Sequence, residues 1–399
     1  MKIHGMAFAA ALAGLALGAP AMAEEGKPEV VTRWNSLAYK LEDKDAAGRW
    51  RESALNGKAL VQGLKFDSAG NIYVTTARWG GPDIPATVSR LVKSGEGFEL
   101  QPFPSPALND VKNPDGLKAV LGFEIDGNDV MWILDQGHIA GAPSGPNDEK
   151  LVLWDIKSGK EIQRLSFPSD VSDKKCSFLN DVVVDNTSGF AYITDSGIFS
   201  DPLCGGLIVY DKNTNTARRV LNGTKFTNDE PNFSFAINGR QVLKNGRMRT
   251  GADGIALSGD KQTLYWTNLT GNTLYSLPTA LLKDPKISET ELQAAIREEV
   301  VLPSNTDGLT ADKDGNVYLT ALQLNGVLRW EPETRRLTQI AYHPEMVWPD
   351  TLAWAPDGTL HVISNHLHLW VDQDMDFDNP QVPNFTIWRL PVKAEPYLK

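Results

Sequence analysis

Six times along the chain an apolar stretch runs into a turn rich in Asp and Gly, then out into a strand centred on an aromatic or large aliphatic residue. The copies span Gly63 to Thr75, Phe123 to Asp135, Asn180 to Asp195, Asp253 to Asn268, Asp307 to Thr320 and Asp350 to Asn365. In the second half of each copy, as in Ile72-Tyr73-Val74-Thr75, β-branched and aromatic residues alternate with period two, which suits half-buried antiparallel strands. Turns such as Asp314-Gly315-Asn316 and Asp357-Gly358-Thr359 join the halves, so each copy reads as a hairpin. A further short strand follows most copies: Val88 to Leu91, Leu151 to Trp154, Leu207 to Tyr210, Leu274 to Leu277, Val327 to Trp330 and Ile387 to Leu390.

Copies begin about 45 to 70 residues apart, the period of one propeller blade with variable loops. The pattern therefore predicts an all-β, six-bladed β-propeller of four-stranded antiparallel blades. Blades packed radially cover one another's faces and leave only short edges. Ring closure is expected to borrow residues near Trp34 to Tyr39 for the last blade. One segment breaks the β pattern. Thr279 to Val300, with Ser288-Glu289-Thr290-Glu291 as a cap and Leu292, Ala295 and Ile296 along one face, predicts a short helical insertion between blades four and five.

The first 23 residues read as an address: Lys2, an apolar run from Met6 to Leu17, and the small-residue site Ala21-Met22-Ala23. A Sec-type signal peptide over 1–23 and a single propeller domain over 24–399 are expected, with a periplasmic or secreted bacterial protein as the destination. No later stretch approaches the ~20 apolar residues of a spanning helix. Loss of Lys2 takes the formal charge from −11 to −12, which argues against nucleic acid or anionic lipid as partners. A small-molecule partner and a monomer are favoured. Cys176 and Cys204 are the two cysteines; in an oxidising compartment they are expected to pair, two buried thiols being the alternative.

In a propeller the first strand of each blade lines the channel, so the residues that open those strands converge on the axis. Here they are Gln62, Gly122, Asn180 with Asp181, Asp253, Asp307 and Asp350. Carboxylates this close repel one another, and a bound cation would offset that; oxygen ligands favour Ca²⁺ or Mg²⁺ over zinc. Asn180, Asp253 and Asp307 are the candidate metal ligands. An Asp before Gly also caps turns through its own backbone, but a cap has no need to recur at the same step of successive blades. Arg78-Trp79-Gly80-Gly81-Pro82 follows the inner hairpin of blade one and could present a guanidinium and an indole to a ligand. Gln136-Gly137-His138 and Leu322-Gln323-Leu324-Asn325 occupy the corresponding loops of blades two and five. His366 and His368 alternate with leucines, so as strand residues they would share a face. No nucleophile elbow, phosphate loop or dinucleotide fingerprint is present, and no nucleotide or organic cofactor is expected.

Cys176 to Asp185, Ala191 to Ser196 and Gly206 to Asp211 resemble the central signature of the major royal jelly protein and Yellow family, as do Asp253 to Ser258 and Trp348 to Leu352. That resemblance spans about Trp34 to Trp388 and implies a secreted six-bladed propeller. It implies function more loosely: members are linked to dopachrome conversion, bind amines or sterols, or serve as nutrients. A more distant resemblance is to the gluconolactonase and regucalcin propellers, which are metal-dependent lactonases. Asn180 and Asp307 match that group's metal-site starts. Asp253 stands where it carries Asn, and Gln62 where its first blade supplies Glu, a neutral amide that cannot serve as a base.

The leading expectation is a small-molecule site at the acidic channel mouth, with Asp253 and Asp307 as candidate catalytic residues of a dopachrome-type isomerase. Gln62, Arg78, Trp79, Asn180, Asp181 and Asp350 are the candidate ligand contacts. Binding of an amine or cation without turnover is the first alternative, and metal-dependent lactone hydrolysis the second.

Overall fold

The computed structural model describes residues 21–22, 26–56, 59–95, 97–243, 248–379 and 381–398. All six repeats fold as the hairpins the pattern predicts, and each gains two outer strands to make a four-stranded antiparallel sheet. In blade two, for example, Val120–Ile125, Val130–Asp135, Lys150–Asp155 and Lys160–Ser166 pair in sequence from the channel outward. The second strands of the blades lose the alternation of a one-sided sheet. Val130–Asp135 and Thr359–Ser364 are buried at every position because neighbouring blades cover both faces.

One device recurs at the end of the innermost strands. The Asp67 carboxylate accepts the Asn71 backbone N–H at 2.8 Å and the Tyr73 hydroxyl at 3.1 Å. Asp126 accepts Val130 N–H and the Trp132 indole N–H, both at 3.1 Å. Asp312 accepts Asn316 N–H and the Tyr318 hydroxyl, both at 2.9 Å. A single side chain thus caps the hairpin turn and satisfies the polar tip of the aromatic residue six positions on, which lets that ring be buried between blades.

The ring closes as expected in kind but upstream in position. Glu29–Trp34 pairs antiparallel with Phe385–Lys393 as the outer strand of blade six. Tyr39 instead bridges Leu100 on the outer edge of blade one. The helical insertion comprises Thr279–Lys283 and Glu289–Ala295, the latter opened by a complete Ser288–Glu291 capping box. It precedes the last strand of blade four, Arg297–Val301, so it lies inside that blade's sheet order.

His366 and His368 depart from the expected strand. His366 adopts a left-handed backbone (φ 55°) and starts the short helix Leu367–Val371. The connection from Thr359–Ser364 to Phe385–Lys393 in blade six therefore carries a helix, and its Leu367, Trp370 and Val371 face the channel mouth. At the opposite end Tyr397 lies beneath the axis and donates to Glu124 at 3.2 Å. Of the expected leader, only Ala21–Met22 falls within the described residues, paired in parallel with Thr338–Gln339. Cys176 and Cys204 form a disulfide with Cα atoms 6.1 Å apart. No helix among the described residues is long and apolar enough to cross a membrane.

Candidate functional site

The acids reach the axis through irregular backbone. The pairing register shifts between Leu179 and Val182, between Ala252 and Ile255, and between Pro349 and Leu352, so Asn180, Asp181, Asp253 and Asp350 all lie on bulged segments. A bulge re-aims a side chain that the regular pleat would direct elsewhere. Close approach of neighbouring blades does the rest. A Cβ on Gly254 would stand 2.3 Å from the Asp307 carbonyl oxygen, and one on Gly308 would stand 2.2 Å from that of Asp350. Glycine at these two places lets blades four, five and six bring their acids together.

Asp181, Asp253, Asp307 and Asp350 line one cavity of about 420 Å³ at the channel mouth. Asn180 donates to Asp253 Oδ2 at 2.8 Å and to Ser196 at 3.1 Å. Trp348 Nε1 donates to Asp307 Oδ2 at 2.6 Å, and Asn365 donates to Asp350 Oδ2 at 2.6 Å. The carboxyl groups of Asp253 and Asp307 are within hydrogen-bonding reach of each other. Burial, then the charges of Asp307 and Asp350, push the Asp253 carboxyl well above its usual range. Asp350 rises similarly, through burial and the Asp307 charge. Asp307 is raised to about 6 by burial, against the hydrogen bonds from Trp348 and Asp253. Asp181 is raised to about 6 by burial, although Lys65 and the Val182 N–H favour its charge. Near neutral pH the floor is therefore a set of carboxyl groups that hold some protons rather than four full charges.

Lys65, which lines the cavity, and its partner Glu124, which does not, lie outside the set expected from sequence. Lys65 and Glu124, on the inner strands of blades one and two, form a buried ion pair at 2.9 Å beneath Asp181. Burial works against the Lys65 ammonium, but Glu124 and Asp181 outweigh it and keep it charged. Each sits two residues beyond a glycine that lines the cavity, Gly63 and Gly122, on the same face of its strand. That spacing, and a charge inside an otherwise apolar strand, was the available signal.

Other candidates divide sharply. Trp79 lines the cavity, its ring 5.8 Å from Phe178 and 6.1 Å from Trp370. Arg78 does not line the cavity. Its guanidinium is 1% exposed and donates to the carbonyls of Ile84, Leu117, Lys118 and Asn109, which ties the rim loop to blade two. Gln62 is likewise buried outside the lining and accepts from Ala77 N–H at 3.1 Å. Lys65 stands as the blade-one contribution instead. Gln136 and His138 do line the cavity. The two His138 nitrogens face the Ala142 carbonyl at 3.0 Å and Glu149 at 3.2 Å. Burial opposes the imidazolium, yet these two acceptors raise its pKa. Gln323 is used within its own blade, accepting from Ser304 and Asn305. His368 stacks on Trp348 with ring centroids 5.5 Å apart. Burial holds both His366 and His368 neutral, at about 4.

The family model for major royal jelly proteins matches residues 119–396, from blade two to the tail beneath the channel. The chain belongs to the major royal jelly protein family. Among its relatives in Apis mellifera, Major royal jelly protein 2 is 24% identical over 346 residues, which covers 80% of this chain and 73% of the relative. Major royal jelly protein 9 is 23% identical over 248 residues, covering 59% of this chain. The matched region spans about half the length of several relatives, 57% of Major royal jelly protein 9 and 46% of Major royal jelly protein 3. Among solved structures, a luciferin-regenerating enzyme superposes with a TM-score of 0.52 at 15% identity, covering 86% of this chain and 95% of that one. This likeness is one of fold. A calcium-binding protein, regucalcin, from Agrobacterium tumefaciens gives a TM-score of 0.49 at 17% identity, covering 86% and 94%.

In this royal jelly family member the acids of the mouth are engaged by donors of the protein itself. Among the described residues, no group of three or more His, Cys, Asp or Glu is arranged to hold a metal ion. Asn180 turns its NH₂ toward Asp253, and Trp348 turns an N–H toward Asp307. Ca²⁺ and Mg²⁺ need oxygen lone pairs at those points.

Proposed function

We propose that the channel mouth binds an organic cation, an amine carried on an aromatic or apolar body. The observation that supports it is the excess of acid over base. Four Asp carboxyl groups line the cavity, while its one lysine, Lys65, is already paired with Glu124. Above them stands a collar of Trp79, Phe178, Phe199, Leu269 and Trp370, suited to ring stacking and cation–π contact. An ammonium group would take the charge that protons otherwise neutralise, and the collar would take the body. A charge-assisted hydrogen bond is worth roughly 1.5–3 kcal/mol. Calorimetry at pH 7.5 with 2-phenylethylammonium should show saturable binding, weakened about tenfold or more in Asp307→Asn. Equal binding of the uncharged isostere 2-phenylethanol, or no loss in the variant, would overturn the reading.

A second reading is supported by the Asp253–Asp307 pair. A protonated carboxyl beside one that titrates at about 6 provides an acid and a base in reach of one bound molecule. Such a pair could move a proton between two positions of an enolisable ring, as a dopachrome-type isomerase requires. Solvent-hydrogen exchange into a bound dopachrome analogue, lost in Asp307→Asn, is the expected result; exchange unchanged from buffer alone excludes turnover.

A further inference from the structure

Trp348 is held in a conformation that costs free energy locally. Its φ is 53°, a left-handed value rare for a bulky residue, and the next residue is Pro349, which drives its predecessor toward extended backbone. The surroundings fix it there. The indole is fully buried between Phe235, stacked at 5.8 Å and 23°, and His368, stacked at 5.5 Å and 16°. Its carbonyl accepts the Asn365 N–H at 3.2 Å. The product of this arrangement is one directed N–H, 2.6 Å from Asp307 Oδ2. Strain of this kind persists where the structure over-determines it, and such places cluster at functional sites.

An indole N–H can only donate, so the oxygen it meets acts as an acceptor. Asp253 Oδ2 is already engaged by Asn180, and both Asp350 oxygens are engaged by Thr351 and Asn365. Asp181 faces Lys65 and the Val182 N–H. Among the four acids, Asp307 is thus the one whose side-chain donor is an aromatic ring held by two stacking partners, and whose other neighbour, Asp253, can supply a proton to it.

We propose that Trp348 is the positioning residue of the mouth: its N–H fixes the Asp307 carboxylate toward the cavity, and Asp307 is the acid that meets the ligand's cation. The second half of this proposal rests on the organic-cation reading above; the first half does not.

A double-mutant cycle separates positioning from mere packing. Trp348→Phe keeps a ring between Phe235 and His368 and removes the N–H. It should weaken 2-phenylethylammonium about tenfold in wild type, and by less than about twofold when Asp307 is already Asn. Equal losses in both backgrounds would show that Trp348 only packs, and would overturn the proposal. A spectroscopic measurement serves if Trp348→Phe does not fold. With ¹⁵N-labelled tryptophan the chain has eleven indole N–H groups; one downfield resonance should move upfield in Asp307→Asn and shift when 2-phenylethylammonium binds wild type. If no indole resonance moves in the folded Asp307→Asn protein, the Trp348–Asp307 link is refuted. If 2-phenylethylammonium fails to bind wild type, the cation reading falls, while the resonance in Asp307→Asn still decides the role of Trp348.

Discussion

Asp181 shows what it costs to gather acids at the end of a channel. Its carboxyl titrates at 3.8 in an unperturbed setting and at about 6 in the folded protein. Between those values the folded state holds a proton that the unfolded chain has released, so stability falls as pH rises through this window and stays lower above it. Asn cannot ionise. Asp181→Asn should therefore stabilise the fold by ~1–3 kcal/mol above pH 6 and change little below pH 4. Thermal unfolding at pH 8 and pH 4 measures this directly, and a loss of stability at pH 8 would mean that Lys65 more than compensates Asp181 for burial. Individual residues were legible in the sequence only as far as strand position determines them. Asn180, Asp181, Asp253, Asp307 and Asp350 open inner strands and do meet at the mouth. Gln62 and Arg78 precede or follow such strands, where side-chain direction depends on contacts with blade two and the rim loop. Lys65 and Glu124 find each other between the neighbouring blades one and two, a relation that no local pattern carries.

The hairpin is the element that the sequence specifies best, and the Asp at the end of its first strand is a reason. Asp312 serves both the turn and the buried Tyr318 hydroxyl. Asp312→Ala should cost ~2–4 kcal/mol, because a turn loses its cap and a hydroxyl is left buried without its acceptor. Tyr318→Phe removes that second penalty in advance, so the double variant should be less destabilised than the sum of the singles, as denaturant unfolding would show. Strict additivity would mean that the hydroxyl finds another acceptor. Elements outside the repeat were less legible. Leu367–Val371 is only five residues long and is positioned by His366 in a left-handed backbone rather than by helical periodicity. The second insertion helix, by contrast, announces itself through the Ser288–Glu291 capping box.

At the scale of the whole molecule, a ring of blades has to be fastened, and here the fastening is Glu29–Trp34 against Phe385–Lys393. This strand is exposed or half-buried along its length and two of its valines face solvent, so composition alone marks it weakly. Its value comes from topology. Without it, the backbone edge of 385–393 is open and blade six joins the ring at one end of the chain only. A protein lacking residues 26–35 should unfold at lower denaturant concentration, lose the coincidence of fluorescence and circular-dichroism transitions, and associate through the bare edge in size-exclusion chromatography. A synthetic peptide of residues 26–35 should restore the elution volume of the undeleted protein and much of the lost midpoint, because an added strand regains the main-chain hydrogen bonds of the native one. Recovery by this peptide but not by one of scrambled order ties the effect to register. An unchanged midpoint after deletion would place closure instead in the contacts between the faces of blades one and six.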